Sequence, residues 1–300
     1  MIVIMGASGA TGGALARRLA ALGRPSRALT RDPERLRSGL PPATRPWVDI
    51  RRADATDTAS LRDAFTDARQ LFLTMANSPR QVEVENRCID IAAAAGIEHI
   101  VKISAPAAEP CSPVAISRWH YAIEQHLRGS GVEHTVLRPY AFMQKLLTLA
   151  PAIAAQAMFT GAMGAAACNY IDCRDIGDVA AAVLTRPELT GRVYTLTGAE
   201  AVSHPELADR LTRMLDHRIR YVDLPPPTFR DSLIEQAHMP PWLADHVMEI
   251  QQLAMARPER PTDTVTRLLD RNPRRLDAFL HENLELFRPH SPKPTTGWPR

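Results

Sequence analysis

Between Ile2 and Leu19 the chain reads IVIMGASGATGGALARRL: an apolar run, then glycines at positions 6, 9 and 12, then a helical pattern. No other feature limits the fold as much. Glycines at every third position, set between a strand pattern and a helix pattern, predict a tight β–α turn at the carboxyl edge of a parallel sheet. Gly6 permits the turn out of the strand, Gly9 lets backbone approach a pyrophosphate, and Gly12 lets the helix pack close to the sheet. A phosphate there would rest on the amides that open the helix, from Ala10 onward, with added hydroxyls from Ser8 and Thr11. The familiar dinucleotide fingerprint has its second glycine at position 8, where this chain has Ser8. Any tight β–α turn favours glycine, with or without a ligand, so the rest of the chain must support a nucleotide site.

After the turn, short β-rich runs alternate with longer helical patterns. The predicted strands are Ile2–Met5, Ser26–Thr30, Val48–Ala53, Gln70–Thr74, His99–Ser104, His134–Arg138 and Arg192–Thr197. The predicted helices are Ala10–Leu22, Pro33–Arg37, Ser60–Ala64, Arg80–Ala95, Val114–Gly129, Met143–Ala155 and Asp175–Leu184. Such alternation implies βαβ units and a parallel sheet. Beyond residue 200 helical patterns dominate, broken by a single strand candidate, Ile219–Asp223, and by three prolines at 225–227. The expected fold class is therefore α/β: a Rossmann-type doubly wound parallel sheet with a smaller, mostly helical C-terminal cap. The nucleotide domain is expected over residues 1–157, completed by about 170–200, with the cap over 158–169 and 201–288 and a loose tail over 289–300.

Composition narrows the function classes. The 300 residues are 45% hydrophobic and 23% charged, enough for a substantial core. A net charge of +3, with Lys and Arg scattered, argues against nucleic acid as a partner. The Ala-rich stretches are interrupted by Pro, Gly or charge, so no membrane span is expected. The apolar run starts at Ile2 with no basic region before it, unlike a secretory signal. Cys88, Cys111, Cys168 and Cys173 lack zinc-like pairing, so reduced thiols, no metal and a cytoplasmic setting are expected. A homodimer stays open.

The second strand bears on the nucleotide. NAD binders usually end it with an acidic residue that holds the ribose 2′-OH; here the segment reads ALTRDPERL. Thr30 takes the acidic position and Arg31 comes next, which suits a 2′-phosphate and favours NADP(H) over NAD(H), although Asp32 is adjacent. Asp54, after the third strand, is a candidate for placing the adenine or for capping a helix. The loop after the fourth strand, with Thr74, Met75, Ala76 and Asn77, is expected beside the nicotinamide end, Asn77 toward substrate.

Taken together these segments resemble the NmrA-like group of atypical short-chain dehydrogenases/reductases. Its glycine pattern is GxxGxxG, which Gly6, Gly9 and Gly12 satisfy, so Ser8 is in place. The resemblance continues through RALTRDPERL, IVKISAP, SRWHYAIEQHLRGSGVEHTVLRPYAFMQKLL, YIDCRDIGDVAAAVL and VYTLTGAEAVSHPELADRL. It implies an NAD(P)H-dependent reductase acting on quinones and other conjugated or aromatic carbonyls. The same group includes nucleotide-binding regulators without an established reaction, and a redox-neutral isomerase or cyclase would fit the same pocket.

The proton source is less legible. Mainstream short-chain reductases carry Tyr-x-x-x-Lys on the helix after the fifth strand. This chain has Tyr121 with Gln125 four residues on, and a glutamine cannot lower a phenol pKa as a cation would. His120 and Glu124 share a helix face at i, i+4 spacing, which makes His120 a candidate general acid, Glu124 its orienting carboxylate and Tyr121 the second candidate. Related phenylpropanoid-type reductases hold a catalytic lysine near the His120 position. Lys102 is expected to be structural. Ser104, Pro139 and Tyr140 are expected at the cofactor, and Phe142, Met143 and Phe159 along a cleft for a small, flat, apolar substrate.

Overall fold

The computed structural model describes residues 1–288, and the tail expected over 289–300 lies outside the described residues. In chain order the strands are β1 (Ile2–Ile4), β2 (Ser26–Thr30), β3 (Val48–Arg52), β4 (Gln70–Leu73), β5 (His99–Ile103), β6 (Glu133–Pro139), β7 (Ala141–Phe142), β8 (Met158–Gly161), β9 (Ala167–Ile171), β10 (Val193–Leu196), β11 (Ala201–Ser203) and β12 (Arg220–Asp223). The first eight helices are α1 (Ala10–Ala21), α2 (Pro33–Gly39), α3 (Thr58–Ala64), α4 (Gln81–Ala94), α5 (Ala115–Gly129), α6 (Met143–Leu146), α7 (Ala150–Gln156) and α8 (Cys173–Thr185). Five more lie toward the C-terminus: α9 (His204–Leu215), α10 (Pro226–Glu235), α11 (Pro241–Ala256), α12 (Thr264–Leu269) and α13 (Leu276–Glu282).

Seven strands form one parallel sheet in the order β3-β2-β1-β4-β5-β6-β10, so the strand order reverses between β1 and β4. That reversal opens a crevice at the carboxyl edge of the sheet. Strands β1 and β5 are buried throughout because helices cover both faces, which explains the continuous apolar character of β1 and the Ile-Val centre of β5. On one face Leu15 and Leu19 of α1 and Ile176 and Val179 of α8 pack on Ile4, Phe72 and Val101. On the other, Val84 and Ile89 of α4 and Ile123 and Leu127 of α5 pack on Val3, Leu71, Leu73 and Ile100. Alternation along β5 puts Lys102 on this second face with Ile100, pointing a cation between α4 and α5.

The cap is mostly helical, as expected, and it also carries short strands. A three-stranded sheet, β11-β9-β7, and a parallel pair, β12-β8, underlie its helices. Two strands, β11 and β12, therefore stand beyond residue 200 where one was expected. These strands are short, and their partners come from distant segments, so local patterning carries little trace of them. The single helix expected over Met143–Ala155 is broken into α6, a 3-10 turn at Leu147–Leu149 and α7. Pro151 stands in the first turn of α7, where its missing N–H is harmless; inside a continuous helix it would remove a hydrogen bond.

Buried ion pairs lock the cap to the sheet. Asp172 caps α8 by accepting the Arg174 N–H at 2.8 Å and pairs with the Arg174 side chain at 2.6 Å. Arg174 also reaches Glu282 at 2.8 Å. Asp175, fully buried, pairs with Arg271 and Arg274 of the C-terminal region. The cysteines are free thiols, with Cys111 exposed and the others buried. Among the described residues no helix is long and apolar enough to cross a membrane.

Candidate active site

The glycine turn has the geometry of an anion cradle. Gly6 has φ +75, and a Cβ there would lie 2.3 Å from the Thr74 carbonyl oxygen, so only glycine fits between β1 and the end of β4. A Cβ on Gly12 would lie 2.3 Å from the Gly6 carbonyl oxygen, so the first turn of α1 seats directly on the turn before it. Gly9 is the helix N-cap; no side chain caps it, and the first turn of α1 holds no acidic residue. The opening amides of Ala10, Thr11 and Gly12 are therefore left for an anion, aided by the positive end of the helix dipole. Ser8, Gly9 and Ala10 form the exposed lip, whereas Thr11 is buried beside the Cys173 thiol, so it offers the lip its amide and not its hydroxyl. A pyrophosphate fits this cradle.

At the β2 end, the acidic neighbour is already engaged. The Asp32 carboxylate accepts the Arg35 N–H at 3.0 Å as the cap of α2, and the Asp32 N–H donates to Thr30 Oγ1 at 3.1 Å. Arg31 is exposed and forms no ion pair among the described residues. Asp54 accepts the Thr56 N–H and hydroxyl at 2.8 and 2.7 Å, which, with the nearby Arg31 charge, lowers its pKa. The capping role considered for Asp54 falls to Asp57, which accepts the Ala59 N–H at 2.9 Å and starts α3.

Beside the turn, between sheet and cap, lies a cleft of about 730 Å³. Its sheet side consists of Thr74–Asn77, Ser104–Ala107, His120 and Pro139–Phe142. Its cap side includes Lys145, Cys168, His246, Ile250, Leu253 and Glu259. Thr74, Met75, Ala76, Asn77, Ser104, His120, Pro139, Tyr140 and Phe142 thus share one wall. Met143 and Phe159, expected along the cleft, are 1% and 2% exposed and belong to the cap core. Phe159 packs edge-on against His204, and the apolar cap wall comes instead from Ile250 and Leu253 of α11. Tyr121, one residue around α5 from His120, is half-buried and not on the cleft wall.

Behind His120 is a buried polar network. Lys102 Nζ donates to Glu85 Oε2 at 2.7 Å and to the Ile103 carbonyl at 2.8 Å, and sits 3.2 Å from His120 Nδ1. Gln81 donates to Glu85 Oε1 at 2.7 Å, with the same amide nitrogen 3.4 Å from His120 Nε2. Burial, reinforced by the Lys102 charge, holds His120 well below its ordinary pKa, so its ring is neutral near pH 7. With an ammonium facing Nδ1, that nitrogen is the acceptor and the ring proton belongs on Nε2. The Gln81 amide nitrogen donates to Glu85 and cannot accept a proton from Nε2, so that N–H has no acceptor within the network and is left for one in the cleft.

Glu124 does not orient His120. It accepts Ser104 Oγ at 2.5 Å and a forked pair from Arg138 at 2.9 and 2.5 Å. The two residues share a helix face, but Glu124 is drawn toward the cation on β6 and His120 toward the one on β5. Glu85 and Gln81 escaped the sequence reading; their signal was a polar pair at i, i+4 on the otherwise apolar face of α4 that carries Val84 and Cys88.

Residues 1–271 match the model of the NmrA-like family. The chain is 31% identical to NAD(P)H azoreductase of Xenophilus azovorans, over 91% of this chain and 92% of that protein. It is 33% identical to (4-alkanoyl-5-oxo-2,5-dihydrofuran-3-yl)methyl phosphate reductase of Streptomyces griseus, over 96% of this chain and all of the relative. In fold it is similar to the NADPH-dependent quinone oxidoreductase of Escherichia coli solved with NADPH, with a TM-score of 0.83, 24% identity, and coverage of 95% of this chain and all of that one. The chain belongs to the NmrA-like family.

Proposed function

We propose that this NAD(P)H-dependent oxidoreductase draws on NADPH and reduces a small, flat, conjugated acceptor, a quinone or an enone, in the cleft between sheet and cap. The observation that carries the reading is the neutral His120 on the cleft wall, backed at Nδ1 by the buried Lys102. Bound NADPH supplies the hydride. Ile103, Ile116 and Phe142 with Ile250 and Leu253 supply apolar walls, and the cleft volume of about 730 Å³ suits a small molecule. His120 Nε2–H anchors the acceptor oxygen and passes its proton as negative charge builds there. Nδ1 then takes a proton from Lys102, so the imidazole ends neutral in its other tautomer. The two curated relatives are named for reducing an azo compound and an oxo-dihydrofuran, also conjugated acceptors.

NADPH oxidation against a panel of quinones and enones tests this. His120→Ala is expected to lower kcat about 10²-fold with NADPH affinity retained. An unchanged kcat would remove His120 from proton transfer, and tight NADPH binding without turnover on any acceptor would favour a nucleotide-sensing role. The exposed Arg31, with no ion pair among the described residues, and the engaged Asp32 support the NADPH preference. Arg31→Ala should weaken NADPH binding about tenfold and leave NADH unchanged, measured by calorimetry. Equal losses for both nucleotides would refute the preference.

A further inference from the structure

Glu259 lies on the cap wall of the cleft, in the irregular segment between α11 and α12, facing the space that Tyr140, Phe142 and His120 border from the sheet side. One carboxyl oxygen, Oε2, accepts the Asn169 N–H of β9 at 2.6 Å. Among the described residues no cation pairs with it: the nearby Arg257 reaches Glu109, at 3.7 Å. The half-buried carboxyl is desolvated with only the Asn169 N–H to offset it, and burial pushes its pKa up to about 7. Oε2 is held by Asn169, so in the protonated form, which gains as pH falls through about 7, Oε1 is the oxygen free to donate.

We infer that Glu259 is a second hydrogen-bond donor to the substrate, so that the cleft favours acceptors with two opposed oxygens, such as a para-quinone, over acceptors with one. The inference rests on the reductase reading above and extends it to substrate class. His120 on the sheet wall anchors one oxygen and Glu259 on the cap wall the other. Above its pKa Glu259 becomes acceptor-only and repels the second oxygen.

The surrounding groups leave this titration isolated. On β9, burial holds the Cys168 thiol at about 12 and Tyr170 well above its ordinary value. Tyr140, after β6, is raised by burial and by the Glu259 charge. His246 of α11 is lowered to about 4 by burial, and His120 lies well below its ordinary value. Lys145 of α6, Arg257 and Glu109 are the remaining charged groups on the walls.

The test compares 2-methyl-1,4-naphthoquinone with the single-carbonyl cyclohex-2-enone in wild type and Glu259→Gln. Between about pH 6 and about pH 8.5 the wild-type KM for the quinone should rise roughly tenfold, while the enone KM stays flat. Glu259→Gln keeps an N–H donor at every pH, so its quinone KM should stay low throughout. Quinone binding to the nucleotide-free chain, read by quenching of intrinsic tryptophan fluorescence, should weaken with pH in wild type and not in Glu259→Gln. A pH-independent quench in wild type, or a pH dependence that survives in Glu259→Gln, overturns the inference. Failure of wild type to turn over either acceptor overturns the reductase reading instead, and the quench titration still decides the role of Glu259.

Discussion

Replacing Gly12 with alanine is expected to abolish measurable NADPH binding and to lower stability by about 1–3 kcal/mol. The added Cβ would lie 2.3 Å from the Gly6 oxygen, 2.8 Å from the Gly6 carbonyl carbon and 2.9 Å from the Ala7 Cα. All three are backbone atoms of the turn, so no side chain can swing aside. Helix α1 would have to lift, and the amides that face the phosphate would lift with it. Gly13→Ala is the control: its Cβ would meet the Ala7 oxygen at 3.4 Å, an ordinary contact, and alanine is the better helix former by about 0.5–1 kcal/mol. Thermal unfolding with and without NADPH separates the two. Wild type and Gly13→Ala should gain about 2.7 kcal/mol at roughly a hundred times Kd, and Gly12→Ala nothing. Wild-type affinity in Gly12→Ala would mean that the nucleotide does not sit on this turn.

Lys102→Met should be more damaging to the fold, by about 3–5 kcal/mol. The Lys102 and Glu85 side chains are 0% and 1% exposed, so the orphaned carboxylate has no route to water and keeps only the Gln81 amide. Adding Glu85→Leu removes the orphan and should restore most of the stability, since buried pairs are often matched by apolar packing. Turnover should not return, because Nδ1 of His120 would still lack its proton donor. Urea unfolding of the single and double variants, with kcat for each, decides the matter. A double variant that regains both stability and turnover would reduce Lys102 to a structural ion pair.

How far the sequence was legible differs by element. The seven strands of the main sheet and, apart from the broken helix after β6, the helices between them were readable because buried parallel strands and amphipathic helices have distinct periods. The cap strands β7, β8, β9 and β11 were not, since each is two to five residues long and paired with a remote segment. The same distinction runs through the site. Gly6, Gly9 and Gly12 lie within one turn and Arg31 within one loop, where spacing along the chain is spacing in space. His120 and Glu124 were correctly placed on one helix face, yet their partners lie on different strands, so one joins Lys102 and the other Arg138. Glu259 carries no local signal at all; only the packing of its segment against β9 puts it on the cleft wall.

The sequence alone determined the α/β class, the glycine turn and the family resemblance, because these depend on contacts among neighbours and on periodic burial. The tertiary structure decided what surrounds each candidate group. It buried Lys102 against Glu85, set that cation on Nδ1 of His120, drew Glu124 away to Arg138 and, among the described residues, left Glu259 without a counter-ion. Proton positions depend on desolvation and the nearest charge, and both are set by which distant segments the fold brings together.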